Sequence, residues 1–149
     1  MRKIHVIAGL LIILLAACNK AEDKKSAISD SLEYKVASID AGKFIPESDL
    51  SITRIKGLLI AAEDVYGTPK QQVADYVVNA HEVAKQKGAD VGVADLLDFA
   101  LIACDVKCTQ DNLVEYLTKY TTVRITSGQT HHQATHGIVI LNNLEKRLK

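Results

Sequence analysis

The sequence predicts an all-α protein, a compact bundle of four or five helices over residues 46–149. Apolar residues beyond Pro46 recur at intervals of three and four, the period of one face of an α-helix. Glycine and proline interrupt this pattern where helices end and begin. The sequence contains no glycine-rich phosphate loop, no internal repeat and no heptad run long enough for a coiled coil. About a hundred residues suffice for an independent core.

The first two predicted helices are joined by a turn at Gly67. The first spans residues 48–66, and Gly67 fits its C-terminal stop. The second opens at Thr68 and Pro69, where a capping hydroxyl, a proline at the first helical position and Gln71 predict a capping box. The predicted buried stripes are Ile52, Ile55, Leu59, Ala62 and Tyr66 on the first, and Val73, Tyr76, Val77, Ala80, Val83 and Ala84 on the second.

The third predicted helix begins at Asp90 or Val93, after Gly88, and ends at Cys104. It is apolar on nearly every side, which predicts a central place in the bundle. Asp95 and Asp98 interrupt it one turn apart. Paired carboxylates can flank a substrate, but an exposed edge or a bond to a neighbouring helix is the favoured interpretation.

The last part of the chain predicts two further helices. Thr109 caps the fourth, with Asp111 suited to the positive end of the helix dipole. The fifth runs over residues 130–148. Alternating β-branched residues in 121–126 and 137–141 also permit a small hairpin there. The expected buried residues are Leu113, Tyr116, Leu117 and Tyr120 in the fourth helix, and Ile138, Leu141, Leu144 and Leu148 in the fifth.

The N-terminal segment predicts export. Arg2 and Lys3 form a positive region, and the uncharged residues 6–17 end in two small residues before Cys18. This apolar run is shorter than the roughly 20 residues of a spanning helix. An ordinary membrane anchor and a plain secretory signal remain as alternatives.

The run Leu14-Leu15-Ala16-Ala17-Cys18 resembles the lipobox of bacterial lipoproteins. The resemblance implies removal of residues 1–17 as a signal peptide and acylation of Cys18. Asn19 follows the cysteine, and in that class an aspartate there is the usual inner-membrane retention signal. The resemblance therefore implies the periplasmic face of the outer membrane, with the membrane as one partner through the lipid anchor.

Residues 18–45 are predicted to be the lipidated cysteine and a tether, because the segment after Cys18 is polar and mixed in charge. Leu32, Tyr34, Val36 and Ile39 are apolar enough that its second half can instead pack along the domain as a short strand or helix. The domain then follows from residue 46 to residue 149.

Cys104 and Cys108 are the other two of the chain's three cysteines. An oxidising compartment favours a disulfide, which a Cys-x-x-x-Cys pair can form across a helix end. Two free buried thiols, a redox-active pair and a metal site remain as alternatives. The spacing differs from the thioredoxin motif, and no second cysteine pair completes a zinc site.

Charge and motifs restrict the function classes. Eighteen basic residues balance eighteen acidic ones, so no basic excess indicates nucleic-acid binding. His132 and His136 are four residues apart, which is ligand spacing on a helix for zinc or copper. A polar helix start rich in histidine is the favoured interpretation, and a metal site would need a further ligand such as His81. No catalytic motif or cofactor-binding motif occurs, so we predict no enzyme and no cofactor.

The tyrosines are the residues that most suggest a partner, since an apolar ring with a polar tip suits an interface as well as a core edge. The run from Cys108 through Leu117-Thr-Lys-Tyr120 to Ile138-Val-Ile-Leu141 resembles, in layout, the terminal helices of a group of type VI secretion immunity proteins. The terminal cysteine of that group is missing here. The resemblance implies a binding or inhibitory module with a protein partner; a metal-binding lipoprotein and a structural envelope lipoprotein are the alternatives.

Overall fold

The structure, a computed structural model, describes residues 29–104 and 107–148. The described ranges form helices joined by short loops and contain no strand, which confirms the all-α prediction. The predicted signal peptide, Cys18 and the start of the tether lie outside the described residues. In chain order the helices are α1 Leu32–Asp40, α2 Leu50–Tyr66, α3 Lys70–Gln86, α4 Val93–Ala103, α5 Gln110–Ser127 and α6 His131–Leu148.

Helix α1 lies before residue 46 and packs on the later helices, which is the alternative that the sequence leaves open for the second half of residues 18–45. Ser31 caps the helix by accepting a hydrogen bond from the Tyr34 amide. Tyr34, Val36 and the following Ile45 are buried in the same core as the later helices, and the Tyr34 hydroxyl donates to the Ile45 carbonyl oxygen at 2.9 Å. The second half of the expected tether therefore belongs to the fold, because these side chains gain burial against α2, α3 and α4.

Helix α4 is central, as its apolar composition predicts. It packs against each of the five other helices in the described ranges. Leu96, Leu97 and Phe99 have no exposed surface, and the Phe99 ring stacks on Tyr120 with 4.5 Å between ring centroids. Burial of such side chains, at about 1.5–3 kcal/mol each, is the main source of stability in a domain of this size.

The turn between α2 and α3 differs in one detail from the predicted capping box. Gly67 ends α2 in the left-handed region at φ 60°, which favours glycine. The Thr68 hydroxyl donates backwards to the Tyr66 carbonyl oxygen, so it does not cap α3. Glu63 Oε1 instead accepts from the Lys70 amide at 3.0 Å, because the tight turn brings the end of α2 over the start of α3.

The hairpin alternative for residues 121–126 and 137–141 is wrong, since both segments lie inside helices. The hydroxyls of Thr126 and Ser127 donate to carbonyl oxygens one turn earlier, a bond that helices accommodate. Gly128 ends α5 in the left-handed region. Thr130 and Gln133 then cap α6 reciprocally. Strong caps on both sides of the loop define two helices.

Three of the side chains expected to be buried in α6 are exposed. Ile138 is buried as predicted, but Leu141, Leu144 and Leu148 are 59%, 51% and 87% exposed. Within the described ranges α6 packs against α4 and α5 alone, so one side of its C-terminal half has no helix to cover it. None of the six helices of the described ranges is long and apolar enough to span a bilayer.

The predicted disulfide is present between Cys104 and Cys108, with 6.0 Å between their Cα atoms. It joins the C-terminal end of α4 to the residue before the Thr109 cap of α5. The Cys108 amide also donates to the Val65 carbonyl oxygen at 3.3 Å. The bridge thus holds the α4–α5 junction against the end of α2.

Candidate functional site

The candidate site is an open groove between α3 and α5, with a volume of about 190 Å³. The residues that line it recur at helical spacing, so each helix contributes one continuous side. None of these described residues is charged, although charged residues make up 24% of the chain. They are Tyr76, Asn79, Ala80 and Val83 from α3, and Val114, Leu117, Thr118, Thr121, Thr122 and Ile125 from α5.

The groove exists because the apolar side of α3 is wider than the helix neighbours can cover. Val77 and Ala84 are fully buried, whereas Val83, predicted to be buried, is 42% exposed and forms a wall of the groove. Val114 on the facing helix is 41% exposed. Ala80 is short and leaves open space between these walls. The sequence pattern marked Val83 as apolar, but only the packing shows that nothing in the described chain covers it.

Five of the ten residues that line the groove carry polar groups, and the hydroxyls of Thr121 and Tyr76 have hydrogen-bonding capacity left. Thr121 is only 5% exposed, and its hydroxyl has no hydrogen-bond partner in the described structure. The Tyr76 hydroxyl accepts hydrogen bonds from Gln72 at 2.9 Å and from Gln110 at 2.6 Å, which leaves its own proton to donate. The groove therefore suits an apolar segment that also brings one or two polar groups.

The predicted metal ligands form a pair without a third member. His132 and His136 are exposed on α6, with 6.2 Å between their ring centroids. His81 is nearly buried on α3, and its Nδ1 donates to the Val91 carbonyl oxygen at 2.7 Å. The described residues contain no group of three or more His, Cys, Asp or Glu side chains placed to hold a metal ion. The metal site remains a prediction on two ligands.

His131, next to this pair, serves a different network. Its Nδ1 lies 2.6 Å from the Tyr120 hydroxyl, which also accepts from Arg124 at 2.9 Å. Burial raises the pKa of Tyr120 above its usual value, and the phenol and the imidazole share a hydrogen bond. Arg124 also donates to the Asp90 carbonyl oxygen. This network ties the start of α6 to α5 and to the loop before α4.

Asp95 and Asp98 make bonds to neighbouring helices, as the favoured interpretation of the sequence holds. Asp98 forms an ion pair with Arg54 of α2 at 2.6 Å. Asp95 lies 3.8 Å from Arg124 of α5. Both carboxylates are directed to arginines of other helices, so the pair joins α4 to α2 and α5.

A second depression, of about 370 Å³, lies between the end of α1 and the loop that follows α3. Its charged and titratable lining residues are Asp40, His81, Lys85 and Asp90. His81 Nε2 has no hydrogen-bond partner in the residues described. The sequence alone does not predict this depression, because Asp40 of α1 and His81 of α3 are distant in the chain and come together only in the fold. Its mixed charge makes it less selective for one ligand class than the uncharged groove.

The chain matches no protein-family model, no curated protein and no solved structure.

Proposed function

We propose that the protein is a lipid-anchored module of the outer membrane that binds a protein partner, in a binding or inhibitory role, through the groove between α3 and α5. The observation that carries the proposal is the uncharged groove with the unpartnered Thr121 hydroxyl in its floor. Val83 and Val114 are 42% and 41% exposed there, so their side chains are available to contact a partner. A buried hydroxyl without a partner is a cost to the free protein that a bound segment can relieve.

A helical or extended segment of the partner fits this groove best. Helix-in-groove recognition places apolar side chains at intervals of three or four into a groove between two helices. Val83 and Val114 would contact these side chains, and Thr121 and Tyr76 would bond polar groups of the segment. An inhibitory role follows if the segment that binds in the groove is one that the partner needs for its own activity.

The anchor part of the proposal rests on the N-terminal sequence. Cys18 follows the lipobox-like Leu-Ala-Ala run, and Asn19 in the next position favours the outer membrane. Acyl chains bind a bilayer with about 0.8 kcal/mol per buried methylene, so several chains on Cys18 give a lasting attachment. The proposal includes neither catalysis nor a cofactor.

The test is site-specific photocrosslinking in the cell envelope. A photoreactive amino acid at Val83 or Ile125 should form an adduct with one and the same protein, whereas the same probe at the exposed Lys56 of α2 should not. Val83→Glu should remove the Ile125 adduct without lowering the melting temperature, because Val83 is partly exposed.

Adducts of equal yield from Lys56, or no adduct from either groove position, would contradict the assignment of the groove. Retention of zinc or copper by the purified chain, lost in His132→Ala or His136→Ala, would instead favour the metal-binding alternative.

A further inference from the structure

The C-terminal half of α6 has an apolar side that the bundle leaves bare. Ile138 is the last buried residue of the helix, at 4% exposure. Beyond it the large apolar side chains are exposed on one side, and we call them the α6 stripe. The stripe consists of Ile140, Leu141, Leu144 and Leu148, which are 45%, 59%, 51% and 87% exposed.

Cationic side chains accompany the stripe. Lys146 and Arg147 lie in the last turn of α6 and are exposed. Glu145 is the only acidic residue of this helix, and its carboxylate lies 4.0 Å from Lys119 of α5. Leucines on one side and cations around the same turn are the pattern of helices that lie in a membrane interface.

We propose that the α6 stripe inserts into the headgroup region of an anionic bilayer and holds the bundle in a defined orientation on the membrane. The leucine side chains enter the boundary of the acyl chains, and Arg147 extends its guanidinium to the lipid phosphates. This inference rests on the proposed function in one respect: the anchor at Cys18 is what brings the domain close to a bilayer. The contact with the bilayer is made by α6.

The anchor is close enough for this contact. Residues 19–28 connect Cys18 to the described chain, and ten residues span at most about 36 Å. A domain of this size has a radius of gyration of about 13 Å, so most of its surface lies within reach of the anchored end. Tethering raises the effective lipid concentration, and a weak interfacial contact is then sufficient.

A membrane is a better occupant than a second copy of the chain. From Leu141 to Leu148 the stripe rises only about 10 Å along the helix, a single heptad. Helix pairs that associate through such a seam need three or four heptads. A bilayer has no such length requirement, since each inserted side chain contributes independently.

The experiment is cosedimentation of a chain that starts at Asn19 with vesicles. This chain retains the whole described core, which begins at Tyr34. We expect it to bind vesicles of phosphatidylethanolamine with phosphatidylglycerol, and to bind phosphatidylcholine vesicles much more weakly. Leu144→Gln and Leu148→Gln together should weaken partition at least about tenfold. Arg147→Gln should weaken it about fivefold, in line with one cation at an anionic surface.

Ile60→Gln is the matched control, because Ile60 is a 42% exposed apolar side chain on α2, outside both the groove and the stripe, and its replacement should leave partition unchanged. The single variant Leu148→Gln should also weaken partition. It should fold normally, since Leu148 is 87% exposed and plays no part in the core. Equal partition of the leucine variants, no binding of the parent chain, or a lipid-free dimer that Leu144→Gln dissolves would overturn the proposal.

Because this chain lacks Cys18, its failure to bind would count against the stripe and not against the anchor. Loss of the anchor would be seen separately, in the mass of the N-terminal peptide of the full chain. The photocrosslinks from Val83 and Ile125 are independent of both results.

Discussion

At the scale of single residues, buried polar groups without partners stand out. Within the part of the chain that the structure describes, Thr121, which lines the groove, is one, and Thr135 of α6 is another. Most buried hydroxyls in proteins are paired, and an unpaired one costs about 1–3 kcal/mol. By contrast, the Tyr66 hydroxyl is buried and donates to the Ala100 carbonyl oxygen at 2.5 Å.

Replacing Thr121 with valine should raise the free energy of unfolding by up to about 1 kcal/mol, because the change removes an unpaired hydroxyl and keeps the side-chain shape. Urea unfolding measures the effect. Thr118→Val is the control, since the Thr118 hydroxyl is exposed and donates to the Val114 carbonyl oxygen. A loss of stability in Thr121→Val would mean that its hydroxyl is paired in solution.

Glu33 predicts a pH dependence. A hydrogen bond from Lys70, at 2.6 Å, lowers the pKa of Glu33 below its ordinary value of 4.5. The Glu33 carboxylate thus binds a proton more weakly in the folded state than in the unfolded state. The contribution of Glu33 is fully present above its unfolded pKa and is lost as the pH falls through the lower folded value.

Glu33→Gln should therefore lower the unfolding free energy at neutral pH and flatten its decline in acid below pH 4.5. Chemical unfolding at a series of pH values tests this, with the exposed Asp64→Asn as control. Parallel pH profiles for the parent chain and Glu33→Gln would show that the ion pair contributes nothing.

At the scale of elements, α1 is the helix whose place in the fold the sequence leaves open. A nine-residue helix is too short to be stable alone, so its stability comes from packing against α2, α3 and α4. Val36 is 2% exposed, whereas its neighbour Lys35 points to solvent. This contrast makes the two positions a test of whether α1 belongs to the domain.

Val36→Ala should lower the free energy of unfolding by about 2 kcal/mol, since it removes two buried methyl groups and leaves a small cavity. Lys35→Ala should change it by less than about 0.5 kcal/mol. Thermal unfolding of both variants measures the difference. Equal melting temperatures would restore the domain boundary at residue 46.

The disulfide at the α4–α5 junction closes a short loop. The chain-entropy relation assigns about 2 kcal/mol to a loop of about five residues. The double variant Cys104→Ser and Cys108→Ser should be less stable by about this amount in urea unfolding. Reductant should lower the stability of the parent chain to the same level and leave the double variant unchanged. If the stability of the parent chain stays the same after its disulfide is fully reduced, the disulfide has no stabilising role.

At the scale of the whole molecule, the groove and the α6 stripe are apolar surfaces that the other described residues do not cover. The groove is uncharged and contains a hydroxyl for a partner, and the α6 stripe is accompanied by cations. If Cys18 anchors the chain, the two surfaces divide the roles of partner binding and membrane contact. This arrangement depends on the lipid at Cys18, which can be tested directly.

We expect the full chain from the cell envelope to begin at an acylated Cys18, as intact-mass analysis of its N-terminal peptide would show. Cys18→Ala should carry no fatty acid, and any remaining fractionation with the membrane should be lost when Leu144→Gln and Leu148→Gln are added. The double variant Cys104→Ser and Cys108→Ser provides the control, because it removes the other cysteines and should remain membrane-bound. A peptide free of fatty acid would leave the α6 stripe as the sole membrane contact.

The fold class could be predicted from the sequence because helix signals are local. Periodic apolar residues, Gly67 at a helix end and the Thr109 cap act within a few residues of chain, so α2 to α5 lie close to their predicted positions. The disulfide could be predicted for the same reason, because Cys104 and Cys108 are only four residues apart in the chain. The site was harder to predict, because Val83 on α3 and Ile125 on α5 meet only in the packed bundle.

Which apolar faces are covered depends on neighbours that are distant in the chain. The same periodicity that buries Leu59 in α2 places Leu144 on α6, yet the first is fully buried and the second is 51% exposed. Val36, in a stretch that resembles a polar tether, is buried because α2, α3 and α4 surround α1. A sequence pattern states which residues share a face of a helix. Whether another helix meets that face is a property of the assembled bundle, since hydrophobic burial is a contact between segments and not within one.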